Sequence, residues 1–454
     1  MGQPAAVFLA AILISFGISS LLPPYSTQAS WVERSAQTQK SLAERKTGSA
    51  STGEPAETRL VTTTAELNRI TTDWMDTDVP AAAVPLIKRL KHDLRDVIIA
   101  TINRPEVIDT DPSAMQSAVR GRLAQLGVQI SDYDDDQRVA SEEANGRTFR
   151  YGDIYTIDIT KPETKQDLLV VGATIGVCCG DDTSLYLLSR NGDKWRLSIE
   201  EESGPYEQVS GARGALKYWV GQADETGQPF LVFAYIEPWC SSNWNQVNYQ
   251  VVESGVSPEG PRVLFRDQPS AFIETDPIFS LVGEAGGFKL TWTAEFGLDS
   301  GRFTRQYVAR YKVGAREITR IQPVALLPED FVDEWVRMPW ITASRWSSAA
   351  THRALNAWHE RLQQTHSGRR STCGSEIIAS TESQENPGAW DVEVAFWDDE
   401  QDEAAGEEAG RGTGEEAPGH DNNLCGSHLM FTVQKTGDEF IMKKITRLEA
   451  HPAP

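Results

Sequence analysis

The chain of 454 residues is short of cysteine, with 5 in all, and none of them falls in a Cys-x-x-Cys or regular Cys/His spacing. That excludes a structural zinc module. It is also short of positive charge: 43 Lys and Arg against 65 Asp and Glu leave a formal charge of -22. Nucleic acid and anionic lipid surfaces are therefore excluded as main partners, because neither attracts a surface this negative. Catalytic signatures are missing as well. No Gly-x-Ser-x-Gly elbow, phosphate-binding loop or dinucleotide fingerprint occurs, and no cofactor is implied.

What is present is a chain with 40% hydrophobic residues, enough to bury a core. At this length one large repeat architecture or two to three ordinary domains are admissible. The acidity is local. Between Glu376 and Leu424 lie fifteen acidic residues and one basic residue, Arg411, so -14 of the -22 belongs to that stretch and -8 to everything else. Its centre, residues 398–423, is of low complexity and reads as an unfolded loop inside the last β unit.

Residues 5–22 are uncharged and almost wholly apolar, followed by Pro23-Pro24 and a run of small residues. Residues 1–30 are thus expected to be a secretory signal peptide, although no Lys or Arg precedes the apolar run. An uncleaved anchor is the alternative and would be the one route to a membrane. Either way the folded part is expected in an extracytoplasmic space, periplasmic or secreted, where thiols oxidise.

Residues 31–66 are rich in Ser, Thr, Ala and charge and read as a disordered leader. Val84, Ile87, Leu90, Leu94, Val97 and Ile98 recur at helical spacing, and Asp111-Pro112 opens a second helix stopped by Gly127, so residues 67–130 are expected to form a helical hairpin. From residue 149 the period becomes strand-like. Strands are expected at residues 153–159, 168–175, 184–190 and 194–199; at 216–220, 229–236, 246–252 and 262–265; and at 278–282, 288–294, 305–312 and 317–321. A fourth set follows at 375–379, 391–397, 428–433 and 439–446. Three units thus fill residues 149–323, a Trp-rich helical insertion fills 324–368, and a fourth unit fills 373–448. Asn191-Gly192-Asp193, Val313-Gly314-Ala315 and Thr436-Gly437-Asp438 mark hairpin turns between third and fourth strands. The expected fold is mainly β with helical additions: four four-stranded antiparallel units, propeller-like, after a helical hairpin. An irregular β-sandwich or barrel is the alternative.

Candidate sites lie between second and third strands. Glu237-Pro238-Trp239-Cys240 with Trp244 reads either as a binding lip, with indole faces for a sugar or peptide and Glu237 as carboxylate, or as a disulfide-stapled turn whose tryptophans cover a sheet end. The matching stretch in unit one, Cys178-Cys179-Gly180-Asp181-Asp182, adds two more carboxylates. Adjacent cysteines rarely bond each other, so one of the two, with Cys179 the candidate over Cys178, is expected to pair with Cys240. The repeated Cys-Gly-Ser at Cys373 and Cys425 indicates the second bridge. His352, His359 and His366 are seven apart, too far for one metal ion, and read as a solvated stripe; no metal site is expected. Trp335, Trp340, Trp346 and Trp358 stand at or near helical spacing and read as core. Glycoside-cleaving carboxylates would have to come from Glu237, Asp181, Asp182 or Glu295.

The combination of Gly176-Val-Cys-Cys-Gly-Asp181, Pro238-Trp-Cys240, Phe331-Val-Asp-Glu-Trp335 and Pro339-Trp340 resembles a group of exported bacterial β-rich proteins with no assigned activity, over about residues 80–450. It implies a shared fold; the doubled cysteine and the long acidic insert depart from it. The functional expectation is an extracytoplasmic binding or scaffold protein that meets a protein or glycan partner through loops of its repeats. The alternative is a secreted, glycan-directed hydrolase using carboxylates in those loops.

Overall fold

The computed structural model describes residues 54–131, 148–163, 167–223, 226–239, 242–253, 261–296, 304–315, 317–321, 325–367, 373–384, 386–398, 424–437 and 439–448. The apolar segment 5–22 and the acidic stretch 399–423 lie outside them. No described helix is long and apolar enough to cross a membrane.

The helical part is larger than the sequence implied. The leader expected through residue 66 gives way to a helix, α1 (Ala56–Leu67), followed by a short strand β1 (Thr71–Asp73). Leu60, Thr63 and Leu67 are buried in α1, and Arg122 donates to Glu57 at 2.8 Å. Tertiary packing thus overrides the low helix propensity of the Val61-Thr62-Thr63-Thr64 run. The expected hairpin follows as α2 (Ala83–Ile102) and α3 (Pro112–Gln125). In α2 the residues Ile87, Leu90, Leu94, Val97 and Ile98 bury one face. Asp111 caps α3 by accepting from the Ala114 amide at 2.9 Å, which satisfies one of the helix's orphan donors.

Strand β2 (Thr148–Arg150) pairs with β1, and four antiparallel meanders follow in chain order. Sheet 1 is β3 (Ile154–Thr160), β4 (Leu168–Val177), β5 (Gly180–Asn191) and β6 (Lys194–Glu201). Sheet 2 is β7 (Gly214–Gln222), β8 (Pro229–Ile236), β9 (Trp244–Glu253) and β10 (Arg262–Asp267), with β11 (Ser270–Phe272) also on β9. Sheet 3 is β12 (Phe279–Glu284), β13 (Gly287–Glu295), β14 (Thr304–Val313) and β15 (Ile318–Ile321). Sheet 4 is β16 (Cys373–Glu382), β17 (Ala389–Asp398), β18 (Ser427–Thr436) and β19 (Glu439–Leu448). Gly192 (φ 64°) and Gly437 (φ 62°) supply the left-handed backbone that their hairpins need.

Strand alternation decides how the sheets stack. In β4, Leu169, Val171, Ala173 and Ile175 face the helices, while Leu168 and Val170 meet Leu231 and Phe233 of β8. The other side of β8, with Phe230, Val232 and Ala234, packs on Phe288, Leu290 and Trp292 of β13. Sheet 2 therefore carries a sheet on each face, as neighbouring propeller blades do, and a two-layer sandwich is not what forms. No closed barrel is present among the described residues.

Sheet 4 is covered by helices instead: α4 (Pro328–Arg337), α5 (Trp340–Ala343) and α6 (His352–Ser367). Trp335 and Trp346 are buried there with Phe331, whose ring lies 5.6 Å from that of Phe440. The histidine stripe needs correction. His352 is exposed, but His359 is 1% exposed and stands edge-on to Trp335 at 4.9 Å, because that face of α6 turns onto the aromatic cluster. The side chain of His366 lies outside the described residues.

Two outcomes follow. Phe233→Ala empties the seam between sheets 1 and 2 and is expected to lower unfolding free energy by about 3–5 kcal/mol in denaturant titrations; a loss below about 1 kcal/mol would mean the sheets do not pack this way. Burial also holds the His359 imidazole below its ordinary 6.5. The unfolded chain then takes up this proton before the folded one, so its contribution to stability is complete above that value and is lost as pH falls through it. The denaturation midpoint should fall from neutral to mildly acidic pH, and His359→Phe should flatten that slope; an unchanged slope would count against a buried neutral imidazole.

Candidate functional site

The sequence placed Asp181 and Asp182 in a loop, but they belong to a strand. Cys178 and Cys179 alone turn the chain, with Val177 opposite Gly180 and Cys179 at φ 62°. Asp181 and Asp182 are the second and third residues of β5, and alternation sends them to opposite faces.

Asp182 is wholly buried. Its carboxylate pairs with the Lys91 ammonium from α2, which is itself 3% exposed. It also accepts from Tyr206 Oη at 2.8 Å, from Ser203 Oγ at 2.9 Å and from the Arg213 amide at 3.1 Å. Burial alone would raise the Asp182 carboxyl, but the charge and hydrogen bonds from Lys91, Tyr206 and Arg213 outweigh it and hold the group below its usual range. This residue is therefore committed to a buried ion pair and does not reach a ligand.

Asp181 looks the other way, into a cleft of about 330 Å³ between sheet 1 and the start of β7. One wall carries Thr156 and Asp158 of β3, Gly172 and Thr174 of β4, and Asp181, Thr183 and Leu185 of β5. The other carries Ala215, Leu216, Lys217 and Tyr218. Thr156, Thr174 and Thr183 stand in register across three strands. Their hydroxyls form one hydrogen-bonded row, 3.1 Å and 2.9 Å between oxygens. On β4, Gly172 shares the Thr174 face, so the row of largely buried hydroxyls lines the cleft where large side chains would otherwise fill the space. Tyr218 Oη meets Thr160 Oγ1 at 2.7 Å. The Lys217 ammonium lies 5.7 Å from the Phe279 ring, within the range of cation–π attraction.

The lip is strained. Ala215 adopts φ 44°, uncommon without glycine, and its amide donates to Asp181 Oδ1 at 3.2 Å. Left-handed backbone at a non-glycine residue costs about 1–2 kcal/mol, and such residues concentrate at functional sites. At Gly214 an added Cβ would come within 3.0 Å of both Asp181 Oδ1 and the Ile236 carbonyl, so β7 approaches as closely as a bare backbone allows.

The loop after β8 sits on the Cys178–Cys179 hairpin: a Cβ on Gly180 would lie 3.1 Å from Pro238. Glu237 is half-buried, and burial alone lifts its carboxyl above the usual range. Trp239 is 44% exposed. Trp244 begins β9, opposite Phe272 in register, with ring centroids 5.1 Å apart. None of Glu237, Trp239 and Trp244 lines the cleft. Cys178 is a free, buried thiol, 3.0 Å from Tyr151 Oη, and burial pushes it up to about 11. Cys240 and the side chain of Cys373, the expected partners of Cys179 and Cys425, lie outside the described residues.

The residues that sequence reasoning passed over are Thr156, Asp158, Thr174, Thr183, Lys217 and Tyr218. A local signal existed for Thr174 alone: in Gly172-Ala-Thr174 the residues on one side of an otherwise apolar strand are small or polar.

No protein-family model and no curated protein matches the chain.

Asp182→Asn leaves the Lys91 charge buried without a counter-charge and is expected to lower stability by about 3–5 kcal/mol. The wild-type contribution is present above the unfolded carboxyl value of 3.8 and lost as pH falls through the lower folded value. Urea unfolding of both chains from neutral to acidic pH checks this. Curves that differ equally at every pH would contradict it.

Proposed function

We propose that the chain is an exported binding protein that lodges a small hydroxyl-rich ligand, a carbohydrate unit, in the cleft between its first two β meanders. The observation that carries the reading is the hydrogen-bonded row Thr156, Thr174 and Thr183, flanked by Asp158, Asp181 and Tyr218. Hydroxyls and carboxylates that converge on one space suit a neutral polyol, which both donates and accepts along its length. The volume fits a small ligand.

The hydrolase alternative gains no support from these carboxylates. Asp158 is opposite Gly172 and Asp181 opposite Gly176, with β4 between them. Four residues along the strand and two strand spacings across set their Cα atoms about 16 Å apart. Side chains standing perpendicular to the sheet keep the carboxyls wider than the ~5–10 Å that glycoside cleavage uses.

Export and oxidation belong to the same reading. Cys178 is consumed in the core, so Cys179 is the partner proposed for Cys240, with Cys373 and Cys425 as the second bridge. The contact of Pro238 with the hairpin supports the first pairing. Residues 5–22 would direct export or remain as an anchor.

A glycan array on the purified protein, followed by calorimetry with the best-binding sugar, tests the function. Asp158→Asn and Thr174→Val are each expected to weaken binding by about tenfold, the loss of one hydrogen bond to a buried or charged group. Absence of any sugar binding, or wild-type affinity in both variants, would remove the cleft reading; capture of a peptide instead would move it to a protein partner.

A further inference from the structure

A second site lies on the far side of the Lys91–Asp182 pair from the cleft. His92 of α2 follows Lys91, and Glu200 and Glu202 come from the end of β6 and the residue just past it. His92 Nδ1 is 3.6 Å from Glu202 Oε2 and 3.9 Å from Glu200 Oε1. One ligand atom from each residue lies within 4.8 Å of the others. The donors about a tetrahedral zinc bonded to nitrogen and carboxylate oxygen stand ~3.3 Å apart, so a small inward movement closes the set.

We propose that His92, Glu200 and Glu202 bind a divalent transition-metal ion of the zinc type. Imidazole with two carboxylates is a borderline donor set, which disfavours calcium and magnesium, whose ligands are oxygens. Tyr186, buried beneath, donates from Oη to Glu202 Oε1 at 2.8 Å and so orients that carboxylate from outside the ligand set. His92 is 38% and Glu200 36% exposed, which leaves room for water to complete the coordination and a path for the ion to enter.

Arg95 is the group such an ion must displace. Its Nη1 lies 2.8 Å from Glu200 Oε2 and 3.1 Å from His92 Nδ1. The same guanidinium is also held from the other side by Asp96 Oδ1, at 3.1 Å from Nε and 2.9 Å from Nη2. Releasing Nη1 therefore leaves the guanidinium anchored, and it supplies the positive charge at the carboxylates until a metal arrives. Since α2 and β6 donate jointly, the ion would clamp the helical part onto sheet 1.

Zinc chloride titrated calorimetrically into the purified chain, in a non-coordinating buffer near neutral pH, tests this directly. One ion per chain is expected, with a rise in thermal midpoint on saturation. His92→Ala, at a half-exposed helix position that tolerates alanine, should weaken zinc binding by at least about tenfold and abolish the thermal shift. Tyr186→Phe should weaken it by about tenfold. Arg95→Ala should tighten it, an effect that a merely structural role for the cluster would not produce. No zinc uptake, unchanged uptake in His92→Ala, or calcium binding as tight as zinc would each overturn the site.

Discussion

The Lys91–Asp182 pair is the interaction on which the rest of the structure depends. It is formed between a helix and a strand brought together from far apart in sequence, and both charges are almost completely out of water. A lone buried charge of either sign would be severely destabilising, so neither residue tolerates a shift of α2 against β5. Tyr206, Ser203 and the Arg213 amide close the remaining hydrogen bonds and bring the segment before β7 to the same point. A strand register is thereby fixed by electrostatics as well as by apolar packing.

That register is what makes a cleft. With Asp182 held toward the helices, period-two alternation leaves Asp181, Thr183 and Leu185 on the face toward sheet 2, where Thr174 and Thr156 align with them. The Arg213 tie leads directly into Gly214 and the strained Ala215, whose amide returns to Asp181. Both walls of the cleft are thus set from one buried point. The cluster of His92, Glu200 and Glu202 flanks that point on the helix side, so an ion there would brace the element that positions Lys91.

Much of the fold is legible in the sequence because the strands alternate cleanly and turn glycines separate them. Leu168 to Val177 and Pro229 to Ile236 are apolar runs bounded by polar turns, and Gly192 and Gly437 mark hairpins that form. The misreadings have a common physical origin in tertiary partners that local sequence cannot show. Gly180-Asp181-Asp182 has turn composition, yet Lys91 from 91 residues upstream makes a strand of it. Val61 to Thr64 disfavours a helix until Leu60 and Leu67 find a core. His359 reads as polar surface until Trp335 and Trp340 cover it. For the cleft, Asp181 was legible as a candidate and the threonine row was not, because its members lie on three separate strands and become one surface only through pairing.

A double-mutant cycle on Lys91→Met and Asp182→Leu, read by unfolding free energy and by protection of the β5 and β7 amides in hydrogen exchange, tests the central dependence most directly. Each single change should cost about 3–5 kcal/mol and deprotect both strands, while the apolar pair together should recover most of the stability. Additive losses, with β5 and β7 no more affected than the rest of the chain, would contradict it.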